Sequence, residues 1–382
     1  MEFVQAIGMA AMAFWGLSLA VRIAAAAATF IRPMLARGAL PHGDRPGISV
    51  VIPVKNMEPE LEQAFASVLS QAYPDFEVLI AAAEDTSPAT ETARNVAARF
   101  PNVTTRFILG NKRFTHNPKI SNLAPAIAAA AHDLILIKDA NIQLTQGQLD
   151  EFVADLAPGT GMVCAIPIAV RPQTFAAEIE CSMMNGHSAP LLVGAAVLRL
   201  DVGFGKVMLV RRGDFERVDG VAVMAPTFGD DHALAKALTR IGLRTVFAAG
   251  TVYQPMGART FGAMWDRQLR WMVIRRDEAP AVFAAEPFFG GLFTTIAGAV
   301  GFGLIGATVL PVALATPLAW LANDSLVVAG KGWGWSWRYP LAAFCREIIL
   351  VALWLRACFS RDVQWQGDRF DVGAVSERPR QP

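Results

Sequence analysis

Cysteine is scarce in this sequence, and its placement argues against two kinds of stabilising site. The 382 residues include four cysteines, namely Cys164, Cys181, Cys345 and Cys358. None belongs to a CxxC pair or to a close cluster with histidine, so we expect neither a structural zinc site nor a disulfide framework. We interpret these residues as buried or lipid-facing thiols in a reducing compartment.

Charge is also scarce. Charged residues make up 18% of the chain, against about 25% in soluble domains. Hydrophobic residues make up 53%. The formal net charge of +1 gives no basis for expecting a nucleic-acid partner. We therefore expect one large α/β domain together with segments that lie in a membrane.

An apolar stretch near the N-terminus is long enough to span a bilayer. Residues 3–31 carry a single charge, Arg22, and a hydrocarbon core of about 30 Å requires about 20 apolar residues. The stretch is too long for a cleaved signal peptide and lacks a basic n-region. Arg32, Arg37 and Arg45 follow it, and the positive-inside rule then places the next domain in the cytoplasm.

The C-terminal third contains further apolar sequence. Residues 288–309 carry no charge and are predicted to span the membrane. Residues 310–329 contain two prolines, an asparagine and an aspartate, which predict a broken or partly re-entrant helix. Residues 341–359 carry three charges, of which Arg346 and Glu347 should face protein or the interface rather than lipid. Two and three C-terminal crossings both stay open, and so does the side of the tail.

Strands alternate with helices between these regions. We predict strands at 47–53, 76–82, 104–109 and 134–138, and helices at 60–70, 88–100 and 122–131. This alternation predicts a doubly wound α/β sheet, in which ligands bind beyond the carboxyl ends of the strands. Polar residues follow three of the strands, as Lys55 and Asn56, Glu84 and Asp85, and Asp139 and Asn141. A nucleotide site is expected at this edge.

Two acidic motifs follow strands at this edge. Asp139 is a candidate ligand for a hard divalent cation that neutralises a diphosphate, and a turn carboxylate that caps the next helix is the alternative. Glu84 and Asp85 are candidates for binding the uracil or ribose of a nucleotide. Their alternative role is to cap the helix that begins near Pro88.

A third acidic motif, Gly229-Asp230-Asp231, precedes a helical segment. Asp231 is a candidate general base for an acceptor hydroxyl. A favourable interaction with the helix dipole is the alternative, and the two roles are compatible. Lys119, in a polar segment before a helix, is a candidate phosphate ligand, although a plain surface loop is the commoner explanation.

The segment Arg267-Gln268-Leu269-Arg270-Trp271 is the strongest short motif. Arg267 and Arg270 are three residues apart and share a helical face, and paired guanidinium groups suit a diphosphate. Trp271 can pack under an acceptor or at the membrane surface. The alternative is a basic amphipathic helix on anionic lipid. His187 lies between apolar segments, where a satisfied core histidine is common.

Taken in order, these segments resemble one known family. The strand ISVVIPVKN is followed by QAYPDFEVLIAAAED, PNVTTRFILG, NPKISNL, HDLILIKDANI, GDDHALAKAL and RQLRW, then by apolar helices and the tail VQWQGDRFDV. The chain is similar to the ceramide glucosyltransferases of family 21, a branch of the GT-A glycosyltransferases related to family 2. The likeness covers residues 45–370 and includes the N-terminal anchor, and NPKISNL followed by HDLILI is its most specific part.

The resemblance implies an α/β fold, a GT-A type doubly wound mixed sheet with N-terminal and C-terminal transmembrane helices. We expect an integral, multi-pass membrane protein, in the bacterial inner membrane or its equivalent, with the catalytic domain in the cytoplasm. The expected segments are an anchor (1–32), the catalytic domain (45–260), interfacial helices carrying RQLRW (261–285), C-terminal membrane segments (288–360) and a tail (361–382).

The resemblance also implies a reaction and roles for named residues. The reaction is inverting transfer of glucose from UDP-glucose to the primary hydroxyl of ceramide. A different UDP-sugar (glucuronic acid or galactose), a hopanoid acceptor and a non-catalytic membrane scaffold stay open as alternatives. The implied roles are Asp231 as base, Mg²⁺ or Mn²⁺ at Asp139, donor contacts from Glu84, Asp85, Lys119, Asp139, Arg267, Arg270 and Trp271, and acceptor contacts from His187 and Trp271.

Overall fold

The computed structural model describes residues 2–35, 45–110, 115, 117–365 and 368–371. They divide into two compact units. The sheet unit comprises residues 32–170 and 195–257, and the helical unit comprises residues 1–31, 171–194 and 258–373, in each case where they are described.

The bounds of the elements are as follows. The strands are β1 (Ile48–Val54), β2 (Phe76–Ala82), β3 (Thr104–Leu109), β4 (Leu134–Lys138), β5 (Thr160–Pro172), β6 (Val207–Arg211), β7 (Arg244–Gly257), β8 (Asp362–Trp365) and β9 (Asp368–Asp371). The helices are α1 (Glu2–Leu35), α2 (Leu61–Leu69), α3 (Pro88–Ala97), α4 (Pro118–Ala129), α5 (Gln148–Asp155), α6 (Phe175–Cys181), α7 (Ala189–Val197), α8 (Arg212–Arg217), α9 (Gly220–Met224), α10 (Asp230–Arg240), α11 (Phe261–Glu278), α12 (Pro280–Ala285), α13 (Gly291–Leu304), α14 (Leu310–Gly330) and α15 (Tyr339–Phe359). A π-helical turn covers Ser182–Ser188, and a 3₁₀ turn covers Glu286–Phe289.

A mixed seven-stranded sheet forms the centre of the sheet unit. Its order is β3-β2-β1-β4-β6-β5-β7. β1 pairs in parallel with β2 and β4, and β2 pairs in parallel with β3, whereas β6 is antiparallel to both β4 and β5. The central strands are apolar and buried because helices cover both faces of a parallel sheet. This arrangement confirms the expected mixed α/β fold.

The helix α4 places polar groups at the carboxyl ends of β1 and β2. It begins at Pro118, four residues before the predicted start, because the Asn117 side chain accepts a hydrogen bond from the N–H of Lys119 at 3.0 Å. Asn122 is buried and its Nδ2 donates to the carbonyl of Ala81 at 2.6 Å. The segment containing Lys119 is therefore a helix N-terminus rather than a loop.

Two helices in the described part of the chain are long and apolar enough to cross a membrane, at 2–32 and 310–330. The second is continuous through Pro317, so the break predicted there is wrong. α13 is shorter than the predicted apolar segment. It ends where Gly306 takes a left-handed conformation (φ 80°) and the N–H of Ala307 donates to a carbonyl of the last turn.

A buried charge network lies inside the helical unit. Asp324 on α14 accepts hydrogen bonds from Arg22 Nε on α1 at 3.0 Å and from Arg346 Nη2 on α15 at 2.7 Å. Glu347 pairs with Arg346 and accepts a hydrogen bond from the N–H of Gly291 at 2.6 Å. Two positive and two negative groups balance there, which makes burial of charge tolerable. Arg346 and Glu347 thus face protein, as expected from their position in an apolar segment.

Candidate active site

Lysine and aspartate side chains meet beyond the carboxyl end of β4. Asp139 directly follows this strand, and Lys206 directly precedes the neighbouring strand β6. The Asp139 carboxylate contacts Lys206 Nζ at 2.8 Å through Oδ2 and Lys119 Nζ at 3.3 Å through Oδ1. The Asp139 N–H also donates a backbone hydrogen bond to the Lys206 carbonyl at 3.0 Å, and this bond holds the two segments of the polypeptide side by side.

The third acidic motif joins the same group. Asp230 and Asp231 lie in the first turn of α10, and Lys119 Nζ contacts Asp230 Oδ2 at 3.1 Å. Lys119 thereby connects the second and third acidic motifs of the sequence. We call Asp139, Lys119, Lys206, Asp230 and Asp231 the carboxylate–lysine cluster.

Asp231 is held closely by its surroundings. Its Oδ1 accepts a hydrogen bond from the N–H of His232 at 2.8 Å. A Cβ added at Gly203 would lie 2.2 Å from the Asp231 carbonyl oxygen, and one added at Gly205 would lie 3.2 Å from Oδ2. Only a chain without side chains at these two positions can approach Asp231 so closely, so the carboxylate is fixed against a glycine-lined loop.

The electrostatics of the cluster favour charged groups. Burial would raise the pKa of the Asp139 carboxyl, but Lys119 and Lys206 outweigh it and hold that pKa well below its usual range. Burial likewise opposes the charge on Lys119, but Asp139 and Asp230 raise the pKa of its ammonium group. Burial, opposed by Lys119, raises the pKa of Asp230. Asp139 and Lys119 are therefore ionised at neutral pH.

The oxygen donors present fit a hard divalent cation. Asp139 supplies an ionised carboxylate, and Asn141 has a buried Oδ1 without a hydrogen-bond partner. Mg²⁺ is usually bound through one or two protein carboxylates together with phosphate oxygens. No group of three or more His, Cys, Asp or Glu side chains converges as a metal cage within the residues described. The residues thus fit a cation shared with the phosphates of a ligand rather than a cage.

The capping alternatives for the first and second acidic motifs do not apply, whereas Asp230 and Asp231 do lie in the first turn of α10. Ser87 is the N-cap of α3, and its hydroxyl accepts a hydrogen bond from the N–H of Thr90 at 3.2 Å. Asp85 instead forms an exposed ion pair with Arg94. The helix after Asp139 has Gly147 as its N-cap. Neither the first nor the second acidic motif is therefore explained by helix capping.

In the helical unit, the RQLRW motif lies on α11, where its two arginines have different partners. Arg267 is 8% exposed, and its Nε lies 3.5 Å from Oε1 of the buried Glu180. Its guanidinium also lies 4.6 Å from the ring centroid of Trp271. Arg270 is more exposed, and its Nη1 donates to the carbonyl of Gln364 at 3.3 Å. Arg267 thus contacts a buried carboxylate and the ring of Trp271, and Arg270 contacts the backbone of β8.

His187 and Trp271 line the same cavity in the helical unit. Its volume is about 20 Å³, and an adjoining cavity of about 20 Å³ also includes His187, together with apolar side chains and the carboxylates of Glu286 and Glu347. His187 is 5% exposed, and its Nδ1 has no hydrogen-bond partner. Burial lowers the pKa of His187 well below its usual value, so the imidazole is neutral at pH 7. The histidine is not a satisfied core residue.

Two residues of these sites are missing from the sequence predictions. Lys206 precedes β6, an antiparallel strand that the sequence did not predict. Lys206 and Asp139 are 67 residues apart in sequence, and the pairing of β6 with β4 brings them together. Glu180 is fully buried, and its Oε1 accepts a hydrogen bond from Gln268 Nε2 at 2.9 Å. It also forms ion pairs with Arg259, whose Nε lies 2.9 Å from Oε2, and with Arg267. The sequence signal that could have identified Glu180 is the presence of two glutamates, Glu178 and Glu180, in an otherwise apolar stretch.

The fold and the comparisons define the class of the protein. It is a glycosyltransferase with the GT-A fold. Its described part resembles the mannosyltransferase PcManGT from Pyrobaculum calidifontis, solved in complex with GDP-Man and Mn²⁺, with a TM-score of 0.53, 18% identity, and coverage of 93% of this chain and 99% of that chain. At this identity the likeness shows the fold alone.

The sequence comparisons then identify the family. The profile described as "Glycosyl transferase family 21" matches residues 11–377, and the chain belongs to that family. It is 22% identical over 334 residues to ceramide glucosyltransferase 1 of Caenorhabditis elegans, covering 86% of this chain and 72% of that protein. It is 24% identical over 300 residues to the ceramide glucosyltransferase of Komagataella phaffii (strain GS115 / ATCC 20864), covering 63% of this chain and 59% of that protein.

Proposed function

We propose that this glycosyltransferase transfers glucose from UDP-glucose to the primary hydroxyl of ceramide, with inversion at the anomeric carbon. The observation that carries the proposal is Lys119, which contacts both Asp139 and Asp230 and so joins two acidic motifs that lie far apart in the sequence. The relatives named as ceramide glucosyltransferases support the choice of donor and acceptor.

The donor diphosphate is assigned to the carboxylate–lysine cluster. A divalent cation, Mg²⁺ or Mn²⁺, would be held by Asp139 with the Asn141 oxygen nearby in sequence, and it would neutralise charge on the leaving diphosphate. Lys119 supplies a further fixed positive charge on this edge of the sheet. Glu84 and Asp85, which follow β2, are assigned to the uridine part of the donor.

Asp231 is assigned the role of general base. Its backbone contacts with the glycine-lined loop and the hydrogen bond from His232 hold the carboxylate in one position, as a base requires. The carboxylate accepts the proton of the acceptor hydroxyl while the hydroxyl oxygen bonds to the anomeric carbon. The bond from that carbon to the UDP oxygen breaks on the opposite face.

The acceptor is assigned to the helical unit. The two cavities beside His187 combine apolar side chains, among them Met272 and Leu350, with polar ones, as the tail and head of a lipid require, and the unpartnered His187 Nδ1 offers one hydrogen bond to a polar head. Arg267 and Arg270 on α11 are assigned to the phosphates of the donor, and Trp271 is assigned to contacts with both the donor and the acceptor. We also propose that the chain is a multi-pass protein of the bacterial inner membrane or an equivalent membrane, with the sheet unit in the cytoplasm, and the apolar helices at 2–32 and 310–330 support this proposal.

A matrix of donors and acceptors tests the proposal. The purified protein is incubated with UDP-glucose, UDP-galactose or UDP-glucuronic acid, and with ceramide, diacylglycerol or a hopanoid, and lipid products are identified by mass spectrometry. We expect glucosylceramide with a β linkage. A product from another pair would replace the donor or acceptor assigned here, and no product from any pair would favour a non-catalytic scaffold.

A further inference from the structure

The Asp139 carboxylate already has two positively charged partners. Lys206 Nζ lies 2.8 Å from Oδ2 and Lys119 Nζ lies 3.3 Å from Oδ1, so each oxygen carries one ammonium group. The side chains of Lys206 and Asp139 are 14% and 21% exposed, so both are partly accessible to solvent. A cation that binds Asp139 must therefore displace at least one ammonium group from it.

Lys119 is bound to a second carboxylate as well as to Asp139. It also contacts Asp230 Oδ2 at 3.1 Å and the Gly205 carbonyl at 3.5 Å, so moving it would leave a buried carboxylate without its partner. Lys206 is flexible along its four-carbon side chain, and the side chain is not needed to fix the strand. The backbone bond between the Asp139 N–H and the Lys206 carbonyl already does this.

We propose that Lys206 is a donor-binding residue that exchanges partners. In the free enzyme its ammonium group pairs with the Asp139 carboxylate. When a divalent cation binds that carboxylate, the ammonium group moves to the diphosphate of the nucleotide. The exchange keeps every charged group paired before and after binding, so neither state leaves an isolated charge. This inference rests on the proposed donor site at Asp139.

The test uses two binding measurements on the full chain in detergent. Mn²⁺ binding without nucleotide is followed by electron paramagnetic resonance of the free ion, and UDP binding at saturating Mg²⁺ is followed by titration calorimetry. We expect Lys206→Met to bind Mn²⁺ more tightly, because the competing ammonium group is gone. We expect it to bind UDP on the order of tenfold more weakly, because one charge-assisted contact is lost.

Matched variants separate this role from a general effect of charge. Lys206→Arg keeps the charge and should restore most of the UDP affinity. Arg217→Met removes one positive charge beyond the opposite end of the same strand, where Arg217 forms an exposed pair with Asp214, and should change neither affinity. Lys206→Gln provides a second uncharged variant if the methionine variant does not fold.

The two opposite shifts decide between exchange and a structural role. If Lys206→Met and Lys206→Gln both bind Mn²⁺ and UDP more weakly, Lys206 only holds the Asp139 carboxylate in position. If their UDP affinity is unchanged, Lys206 does not reach the diphosphate. Either result overturns the inference but leaves the proposed function standing. Absence of UDP binding in the wild-type protein would overturn both.

Discussion

Asp231 is a single carboxylate on which the proposed chemistry depends. The substitution Asp231→Asn keeps an oxygen that can accept the N–H of His232, which lies 2.8 Å from Oδ1 in the native protein, so the fold should persist. It removes the basic oxygen, and we expect transfer to fall by about 10²-fold to 10⁴-fold. Labelled UDP-glucose and ceramide give the rate, and calorimetry with UDP should show binding at nearly the wild-type affinity.

Asp214→Asn is the matched control for this variant. Asp214 lies on α8 and pairs with Arg217, and it has no place in the proposed chemistry. The same change of charge at this position should leave transfer within about twofold of the wild-type rate, as is usual for surface substitutions. Normal turnover by Asp231→Asn would remove Asp231 as the base.

Asp139 is the proposed ligand for a divalent cation, and this role can be tested by removing the cation. Thorough chelation with EDTA should suppress transfer, and added Mg²⁺ or Mn²⁺ should restore it, because the leaving diphosphate would otherwise lack its principal counter-charge. The thermal melting curve should change little on chelation without nucleotide, since Lys119 and Lys206 neutralise the carboxylate. Undiminished transfer after chelation would contradict the assignment of a cation to Asp139.

Glu151 gives a pH-dependent prediction remote from the proposed chemistry. Its buried Oε2 has no hydrogen-bond partner, and burial, with a contribution from Asp155, raises its pKa above the usual 4.5. An acid with a raised folded-state pKa favours the fold below its unfolded pKa, and this contribution is lost as pH rises through the folded value. Glu151→Gln should therefore melt about 2 °C or more above the wild type at pH 8.

The stabilisation by Glu151→Gln should shrink as the pH falls, because the native glutamate then takes up a proton. Differential scanning fluorimetry between pH 5 and 8 measures the difference. Glu62→Gln is the control, because Glu62 forms an exposed pair with Arg99 and should give a small difference without this trend. Parallel curves for Glu151→Gln and the wild type would contradict the prediction.

At the scale of elements, the π-helical turn 182–188 depends on one glycine. A Cβ added at Gly186 would lie 2.0 Å from the hydroxyl of Tyr339 and 3.0 Å from Nη1 of Arg346, both on the buried face of α15. Gly186→Ala must displace these groups, and we expect a loss of about 1–3 kcal/mol in the free energy of unfolding. A lower melting temperature in detergent would be the readout.

Gly194→Ala is the control for this element. Gly194 lies in α7, and a Cβ there would meet Ala25 at 3.9 Å, an ordinary contact. Alanine also favours a helix by about 1 kcal/mol over glycine, so this variant should melt at the wild-type temperature or above it. Equal melting temperatures for the two alanine variants would show that the turn tolerates a side chain.

The elements also mark what could be predicted from the sequence. The bounds of β2, β3 and β4 agree with the predictions because buried parallel strands are continuous apolar runs that end at polar residues. β6 was not predicted, since its place beside β4 depends on long-range antiparallel pairing rather than on local pattern. α14 continues through Pro317 because neighbouring helices compensate for a proline, and no window of sequence contains that information.

The candidate site was predictable to a similar degree. Asp139, Asp231 and Lys119 were singled out because each lies next to a strand end or a helix start, where polar groups are expected at a binding edge. Lys206 could not be found in this way, because its importance comes from the partner strand. The different surroundings of Arg267 and Arg270 also escaped the sequence, since three-residue spacing gives a shared face but not the neighbours.

At the scale of the whole molecule, the orientation in the membrane is the property still to be measured. The arginines that follow α1 predict that the sheet unit lies in the cytoplasm, where a nucleotide sugar is available. Exposed basic residues such as Arg99 and Arg217 provide sites for trypsin in that unit. In spheroplasts of a bacterial expression host, external trypsin should leave residues 45–257 intact, whereas in inverted vesicles it should cleave them.

Two controls make this measurement decisive. A carbonate wash at high pH should leave the chain in the membrane pellet if the helices at 2–32 and 310–330, which are long and apolar enough to cross a membrane, anchor it by burial in lipid rather than by charge. Detergent added to the spheroplasts should make the same sites cleavable, which excludes resistance of the fold itself. Cleavage of intact spheroplasts within residues 45–257 would place the sheet unit outside, and a cytoplasmic UDP-sugar could then not be the donor.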